Sequence, residues 1–445
     1  MYLSYHAKKI EDRHRIPWVL LGCAWLIALF LYILMQCISP LLPVLMIDLR
    51  LSHSVAGVLY TLPILMIALF SYPFGIISDR VGMEAAIGCG ITIALLSSLS
   101  RSLSANFTLL AFSTTGLGLG FAMCFPNLPK MVKENFPQQF SGTATGLYTT
   151  AIPVGSGLGI ALTKPLLAAT GDWRQVLMIW SLMVIPVVVL WWIVARISTK
   201  RKGRPGEDFW HGTSAKKQRT TRPPNQIHSE SPSSSNIASK TKLREPRPAT
   251  RCLISHFPVQ FFGPVLIGGL LLSLLNLIFY STIGWLPTYL SEQGWNPTSA
   301  ATVTSVISFS EIPAVVLMPM LSDQMGKRRM IIILSFLLIA VCSAIVSLWP
   351  SLCWFLSPVF GLTFGGVFAL LLALPVEIVE VHDVGRAAGA ILSIGYIGAL
   401  LGPPLTGFLR DMTGLFGVGF MVFMISSIVA AGLSYGLPER TCSRP

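Results

Sequence analysis

Residues 75–82 read Gly-Ile-Ile-Ser-Asp-Arg-Val-Gly, and residues 319–326 read Pro-Met-Leu-Ser-Asp-Gln-Met-Gly. The Ser-Asp pair and the final glycine thus recur after 244 residues (323 − 79 = 244). Each octet lies between two long apolar runs, so its charged residues form a break between hydrophobic segments. The two octets therefore predict a chain built from two copies of one arrangement.

Further landmarks recur in the same order and at nearly the same offset, between 243 (385 − 142) and 246 (375 − 129) residues. The pairs are Leu42-Pro43 with Leu286-Pro287, Gly116-Leu117 and Gly120 with Gly361-Leu362 and Gly365, Leu128-Pro129 with Leu374-Pro375, and Gly142, Gly146 and Gly155 with Gly385, Gly389 and Gly398. One such match would be chance, but these four together with the two octets make five in the same order, which indicates an internal duplication.

The composition is that of a membrane protein. Of the 445 residues, 53% are hydrophobic and 11% are charged, whereas soluble domains carry about 25% charged residues. The apolar runs reach the roughly 20 residues that a helix needs to cross a bilayer. They do not alternate polar with apolar residues as barrel strands do, and helices satisfy their own backbone hydrogen bonds in lipid. We therefore predict membrane-spanning helices.

The predicted fold is an all-α membrane protein with twelve transmembrane helices in two six-helix repeats. Because six is even, both repeats insert in the same direction and are parallel. The predicted parts are a first half (1–195), a basic linker (196–260) and a second half (261–445). The predicted spans are 17–39, 55–77, 85–100, 107–126, 142–165, 175–195, 261–288, 299–321, 330–348, 352–376, 386–408 and 416–435.

The distribution of lysine and arginine predicts that both termini are cytoplasmic, because positive residues are enriched on that side. In this orientation the outer side receives only Arg50, Arg101, Lys164, Arg174 and Arg410 among the basic residues. The charged N-terminus runs into the first span without a small-residue cleavage site, so we expect no cleaved signal peptide. The location is then the inner (cytoplasmic) membrane.

The linker is rich in Lys, Arg, Ser and Pro, a composition that cannot bury a core and predicts disorder. It lacks the interleaved aromatics of a single-strand nucleic-acid groove, so no nucleic-acid partner is expected. Its charge favours contact with anionic lipid. The alternative is a solvated tether that only enforces topology.

The octet at 75–82 resembles the loop motif of the major facilitator superfamily, and the second octet with the basic residues after it resembles a second copy. The motif residues are Gly75, Asp79, Arg80, Gly82, Asp323, Gly326, Lys327 and Arg328. Two departures are Met83-Glu84, where basic residues are usual, and Pro319 in place of a glycine. The resemblance implies alternating access, with a substrate site between the halves.

Each motif aspartate is predicted to dock on a helix N-terminus of the other half, where a carboxylate gains about 0.3–1 kcal/mol. Asp79 is expected near Gly385, and Asp323 near Gly142. These contacts would close the cytoplasmic end of the molecule. The alternative is a solvated turn whose charges set only the topology.

Within the superfamily the chain is most similar to the cyanate permease branch, the cyanate/nitroimidazole transporters. The similar segments are Phe125-Pro-Asn-Leu-Pro-Lys130 with Phe136-Pro137, Gly284-Trp-Leu-Pro-Thr-Tyr-Leu290, and Gly395-Tyr-Ile-Gly-Ala-Leu-Leu-Gly-Pro403 through Gly407. The resemblance implies a small solute, although the branch is mixed in substrate.

Polar groups inside the spans are the candidates for solute binding, because burying them without a use is costly. Tyr32 and Gln36 share one helix face, and Asn276 and Tyr280 are their equivalents in the second repeat. The alternative role of these four is hydrogen bonding between helices within each half. The weaker aromatic candidates are Tyr148, Trp285 and Tyr396.

Two charged residues inside spans have separate interpretations. Glu311 lies about 18 Å from the inner end of its span, so we expect it to bind a proton and to couple proton movement to transport; the alternative is a structural carboxyl. Lys164 is placed near the outer face, where it either attracts an anion or extends to the lipid headgroups.

The sequence predicts a secondary transporter and not an enzyme. The runs Gly116-Leu-Gly-Leu-Gly120 and Gly155-Ser-Gly-Leu-Gly159 lie inside apolar spans without a Gly-Lys-Ser, so they predict close helix packing rather than a nucleotide site. The eight cysteines are scattered singly, and we expect no metal, no cofactor and a monomer. The leading interpretation is import of a small polar or anionic solute, with protons; the alternatives are an exporter of drugs or metabolites and a non-transporting sensor or scaffold.

Overall fold

The computed structural model describes residues 2–136, 138–202, 259–378 and 384–438, and within these ranges the regular structure is entirely helical. Two short 3₁₀ turns lie at Pro350–Leu352 and Ser434–Gly436. The sixteen α-helices are α1 Tyr2–Gln36, α2 Ile38–Leu49, α3 His53–Val81, α4 Met83–Ser102, α5 Phe107–Cys124, α6 Asn127–Asn135, α7 Gln138–Thr149, α8 Ala151–Thr170, α9 Trp173–Lys202, α10 Val259–Glu292, α11 Pro297–Met325, α12 Arg328–Leu348, α13 Cys353–Ala373, α14 Pro375–Ile378, α15 Val384–Thr413 and α16 Gly417–Leu433.

Twelve segments of the described chain are long and apolar enough to cross a membrane, which confirms the twelve predicted spans. Numbered in chain order, they are Pro17–Leu49, His53–Ser78, Met83–Ser102, Phe107–Asn135, Ala144–Thr170, Trp173–Ser198, Gly263–Glu292, Pro297–Met325, Arg328–Leu348, Pro350–Ala373, Ala387–Thr413 and Gly417–Gly436. The fold is thus an all-α membrane protein with two parallel six-helix repeats.

Span one is longer than predicted because its prolines do not end it. The prediction stopped at residue 39, just before Pro40, but a new helix, α2, starts at Ile38 and places Pro40 in its first turn. Proline is tolerated there because those backbone N–H groups have no partner within the helix. Span one therefore continues to Leu49, and Arg50 ends it in the left-handed conformation with φ 52°.

The predicted linker differs from the structure at both bounds. Helix α9 continues to Lys202, and α10 begins at Val259, so both ends of the segment 196–260 are helical. The predicted disorder and lipid contact concern residues 203–258, which lie outside the described residues.

The buried apolar side chains form two clusters. The first holds mainly residues 20–195 with Tyr280 and Ala399, and the second holds mainly residues 265–437 with Leu42, Ala56 and Ile160. These five exceptions mark the contact surface between the halves, which we call the seam.

The duplicated glycines lie where helices cross at backbone contact. A Cβ added at Gly155 would overlap the carbonyl oxygen of Leu29, and one added at its repeat equivalent Gly398 would overlap that of Ser273. Inside the two glycine runs, a Cβ added at Gly118 would lie 2.6 Å from the Cα of Pro63, and one added at Gly157 would lie 2.7 Å from the Phe309 ring. This confirms close packing as the role of these runs, since small residues let membrane helices approach each other.

The two ends of the seam differ. At the end that carries His53, a Cβ added at Gly57 would lie 2.6 Å from the carbonyl oxygen of Pro403, and Gly407 packs on the backbone of His53. At the opposite end, which carries Gly82, a Cβ added at Gly75, Gly146 or Gly389 meets no atom of the described chain within 4 Å. The described residues therefore bring the halves into backbone contact at the His53 end and show no such contact at these three glycines of the Gly82 end.

Candidate functional site

A layer of hydrogen bonds crosses the seam at the middle of the bundle. The Tyr60 hydroxyl donates to Gln36 Oε1 at 2.7 Å, and Gln36 Nε2 donates to Ser156 Oγ at 3.2 Å. Ser156 Oγ lies 2.9 Å from Ser308 Oγ of the second half. Ser39 Oγ, one turn closer to the His53 end, donates to the carbonyl oxygen of Ile283 at 2.6 Å. The contacts of Ser156 and Ser39 thus join the two halves between the centre of the bundle and the His53 end.

The two predicted amides already have partners within their own halves. Gln36 uses both ends of its amide on Tyr60 and Ser156. Asn276 Nδ2 donates to the carbonyl oxygen of Gly395 at 3.1 Å. Both are buried, with 2% and 4% of their surface exposed. Hydrogen bonding between helices, the alternative considered from the sequence, accounts for both side chains.

Three of the predicted tyrosines, Tyr32, Tyr280 and Tyr396, lie near Glu311 on the Gly82 side of this layer. Tyr280 of the second half lies in the core cluster of the first half, and Tyr32 and Tyr396 pack against the same cluster. Glu311 is near enough to Tyr32 and Tyr280 to affect both electrostatically. Tyr32, Tyr396 and Glu311 are only half-buried although they lie at mid-span, so they border accessible space. We call Tyr32, Tyr280, Tyr396 and Glu311 the central cluster.

Aromatic rings support the central cluster. The Tyr32 ring packs against Phe121 and Phe125, with ring centroids 5.5 and 5.9 Å apart. The Tyr280 ring packs edge-on against Phe279 at 5.3 Å.

Glu311 is the carboxylic acid of the central cluster. Its Oε1 is buried and has no hydrogen-bond partner in the part of the chain that the structure describes. A Cβ added at Gly365 would lie 3.0 Å from the Cα of Glu311, so spans eight and ten are in backbone contact at this level. The carboxyl group is held by close packing and keeps unused hydrogen-bonding capacity.

Two other predicted aromatics lie elsewhere. Tyr148 is buried in the core of the first half. The Trp285 indole donates to the carbonyl oxygen of Pro403 at 2.8 Å, and its ring lies 5.8 Å from the His53 ring. Trp285 therefore belongs to the closed end of the seam.

A charged group that the sequence analysis did not identify joins the halves at the His53 end. Asp411 accepts hydrogen bonds from the backbone N–H groups of His53 (3.0 Å) and Ser54 (2.8 Å) and from the Ser54 hydroxyl (2.7 Å). His53 Nδ1 lies 2.7 Å from Asp411, and His53 Nε2 lies 3.7 Å from Glu292. Arg410 Nε pairs with Glu292 at 3.2 Å. We call this group the His53 latch.

The latch was missed for a definable reason. The predicted span two begins at residue 55, so His53 fell in a loop, where charged residues are unremarkable. The available signal was Ser52, which caps α3 by accepting from Val55 N and so marks a helix start at His53. Nothing local in the sequence pairs His53 with Asp411, which is 358 residues away.

The structure describes part of the two loop motifs. Gly82 (φ 90°) and Gly326 (φ 63°) end their helices in conformations that favour glycine. Asp323 pairs with Arg328 at 3.3 Å, and Lys327 precedes α12. Arg80 is exposed. The side chain of Asp79 lies outside the described residues, as do the side chains around Gly385 and Gly142, so the predicted docking of Asp79 stays a prediction.

A cleft of about 470 Å³ lies beside the first motif, at the Gly82 end. It is lined by Ser71, Tyr72, Gly75, Ile76, Ser78, Pro126, Asn127 and Lys130. Two sequence segments singled out for family resemblance, 75–82 and 125–130, thus face each other across it.

The comparisons with known proteins give one family. The profile of the Major Facilitator Superfamily matches residues 24–403 and 292–443. The uncharacterized transporter YycB of Bacillus subtilis is 24% identical over 435 residues, covering 97% of this chain and 95% of that protein. The 2-nitroimidazole transporter of Escherichia coli is 24% identical, with 95% of both chains covered. The cyanate transport protein CynX of Escherichia coli is also 24% identical, with 87% and 89% covered.

Solved structures show the same fold. The D-xylose–proton symporter superposes with a TM-score of 0.70 at 14% identity, covering 95% of this chain and 98% of that one. A bacterial homologue of the human lysosomal transporter Spinster, in an inward-facing and occupied conformation, superposes with a TM-score of 0.68 at 15% identity, covering 94% and 95%.

Proposed function

Because this chain belongs to the major facilitator superfamily and is a multi-pass membrane transporter rather than an enzyme, we propose that it imports a small polar or anionic solute together with protons. The solute binds at the central cluster and crosses by alternating access, as one half rocks against the other. The observation that carries this proposal is that Tyr280 of the second half packs in one cluster with Tyr32 of the first half at mid-span, with Glu311 nearby.

The difference between the two ends of the seam supports alternating access. Hydrogen bonds and the His53 latch join the halves on one side of the central cluster, whereas on the other side a Cβ added at Gly75, Gly146 or Gly389 meets no atom of the described residues within 4 Å. In the orientation that the basic residues favour, the His53 end faces outward and both termini are cytoplasmic. The described state is then open to the cytoplasm.

Two of the relatives that are named for a substrate support the solute class. One is named for 2-nitroimidazole, a flat ring, and one for cyanate, a small anion. Phenol hydroxyls can donate hydrogen bonds to either solute, and the phenylalanines beside Tyr32 can pack against a ring.

Proton coupling is assigned to Glu311. A secondary transporter is driven by a gradient, and Glu311 is a carboxyl at mid-span with an oxygen that has no partner among the described residues. Two negative charges in one site repel each other, so an anion approaching Glu311 favours the protonated carboxyl. Proton and solute then move together.

The test is uptake into proteoliposomes of cyanate, nitrite, small carboxylates and nitroimidazoles, with and without a pH gradient. We expect an inward-directed proton gradient to drive accumulation of at least one of them. Glu311→Gln should abolish this accumulation but spare solute exchange at equal pH, because the neutral amide still permits rocking. Glu134→Gln, which changes an exposed carboxyl near the Gly82 end, is the control and should retain both activities. Accumulation by Glu311→Gln at the rate of the unmodified protein would refute the coupling role.

A further inference from the structure

Lys164 is buried in the structure, whereas the sequence placed it near the outer face with the headgroups in reach. Only 7% of its surface is exposed, and it lies in α8 within span five. Most of the side chain therefore packs against the protein rather than against lipid. A lysine inside a membrane span calls for a partner, because burying an unpaired charge is costly.

Lys164 lies on the helix face that contacts the second half. Ser156, Ile160 and Lys164 are spaced by four residues, so they share one face of α8. Ser156 contacts Ser308 across the seam, and Ile160 packs in the core cluster of the second half. Lys164 is eight residues beyond Ser156, or about 12 Å toward the His53 end. It therefore lies along the part of the path that is now closed.

The residues that the structure describes supply no counter-charge to Lys164. No hydrogen bond or ion pair joins it to any residue that the structure describes. The four carboxylates near that end are engaged elsewhere: Asp48 with Arg174, Asp172 with the backbone of Arg174, Glu292 with Arg410, and Asp411 with His53.

A second buried cation adds positive charge to the same half. Arg101, with 1% of its surface exposed, donates from Nη1 to the carbonyl oxygen of Leu34 at 2.7 Å, beside the break in span one. Its Nε has no hydrogen-bond partner among the described residues. The interior of the first half is thus electropositive between the central cluster and the His53 end.

We propose that Lys164 binds an anionic solute as it passes between the His53 end and the central cluster, so that the transported class is small anions. This inference rests on the proposed function and narrows it. When the His53 end opens, the seam face of α8 borders the path, and the ammonium group can donate up to three hydrogen bonds to a carboxylate or to a similar anion. The anion replaces the counter-charge that the protein lacks, and Arg101 strengthens the positive field from behind span one.

The test uses pairs of probes that differ in charge but hardly in shape: pyruvate and pyruvamide, nicotinate and nicotinamide, and 3-hydroxybenzoate and 3-hydroxybenzamide. Exchange of each labelled probe is measured in proteoliposomes, with protein-free liposomes subtracted. We expect the unmodified protein to exchange at least one anion in preference to its amide. Lys164→Met should lower the exchange of that anion by about 10- to 100-fold, the range for hydrogen bonds to charged groups, without lowering exchange of the amide.

Lys164→Arg and Lys133→Met are the matched controls. The arginine keeps the positive charge and should retain most of the anion exchange. Lys133 is exposed near the Gly82 end, so its replacement removes one charge away from the seam and should change nothing. A melting experiment guards against misfolding. Lys164→Met should melt at or above the temperature of the unmodified protein, because it replaces a mostly buried lysine that has no partner among the described residues with an apolar side chain. The preferred anion should raise the melting temperature of the unmodified protein only.

The outcomes separate the two proposals. If the unmodified protein exchanges amides as well as anions, or if Lys164→Met keeps the preference for anions, the inference about Lys164 is wrong while transport of small solutes stands. If the unmodified protein exchanges none of the six probes, both the inference and the solute class under the proposed function are contradicted.

Discussion

At the scale of single residues, the duplicated glycines set how closely the helices pack. Gly398 lies where span eleven crosses span seven, and a Cβ there would overlap the Ser273 backbone. Gly389 is in the same helix, α15, but a Cβ there meets nothing within 4 Å among the described residues. The two glycines of one helix therefore predict opposite effects of the same substitution.

We expect Gly398→Ala to destabilise the protein by about 1–3 kcal/mol, because two backbones must separate to admit one methyl group. Gly389→Ala should be neutral or stabilise it by up to about 1 kcal/mol, because alanine has the higher helix propensity. Melting temperatures of both variants in the same detergent test this. A Gly398→Ala variant that melts with the unmodified protein would contradict the packing described for spans seven and eleven.

At the scale of helices, the His53 latch ties the start of α3 to the end of α15. Asp411 receives three hydrogen bonds from His53 and Ser54 of the other half, and a carboxylate is also favoured by the positive end of the α3 dipole. The latch lies beside Gly407 and Gly57, where the same two helices touch at backbone distance. Charge and close packing thus hold the same contact.

We expect Asp411→Asn to loosen this contact by about 1–2 kcal/mol, because charge-assisted hydrogen bonds become neutral ones. Hydrogen exchange of the amides at 53–57, corrected for intrinsic rates, should speed up by about 5- to 30-fold. Asp172→Asn is the matched control, since Asp172 lies at the same end but bonds the backbone of Arg174 in its own half. Equal exchange in both variants would show that the latch does not hold the halves.

Helices and their order were predictable from the sequence, whereas the state of the seam was not. Span lengths follow from apolar runs, and the two repeats follow from landmarks such as Ser78-Asp79 and Ser322-Asp323, because both signals are local. The meeting of Tyr32, Tyr280 and Glu311 was predictable in part, through the equivalence of spans one and seven. The partners of Gln36, the burial of Lys164 and the pairing of His53 with Asp411 depend on contacts between distant segments, which no local pattern encodes.

At the scale of the whole molecule, replacing the long segment between the halves distinguishes a transporter from a sensor. A transporter needs this segment only as a connection, whereas a sensor would need its basic sequence as an output. We expect a protein in which residues 206–250 are replaced by an equally long Gly/Ser sequence to keep its transport activity, because a flexible chain of equal length has a similar reach. Loss of function in this variant, with retained function in Glu311→Gln, would favour the sensor.

The central claim is that one path between the two halves opens at either end in turn. The most direct measurement is the distance between two spin labels, one on each half, with the protein reconstituted in lipid nanodiscs. Each label is attached to an unnatural amino acid introduced at the chosen position. One pair replaces Leu103 and Gln293 at the His53 end, and the other replaces Val81 and Met325 at the Gly82 end; all four positions are exposed. On introducing Asp411→Asn, we predict that the population with a longer distance at the His53 end grows while the distance at the Gly82 end shortens. Distances that stay fixed, or that lengthen together at both ends, would contradict alternating access in this protein.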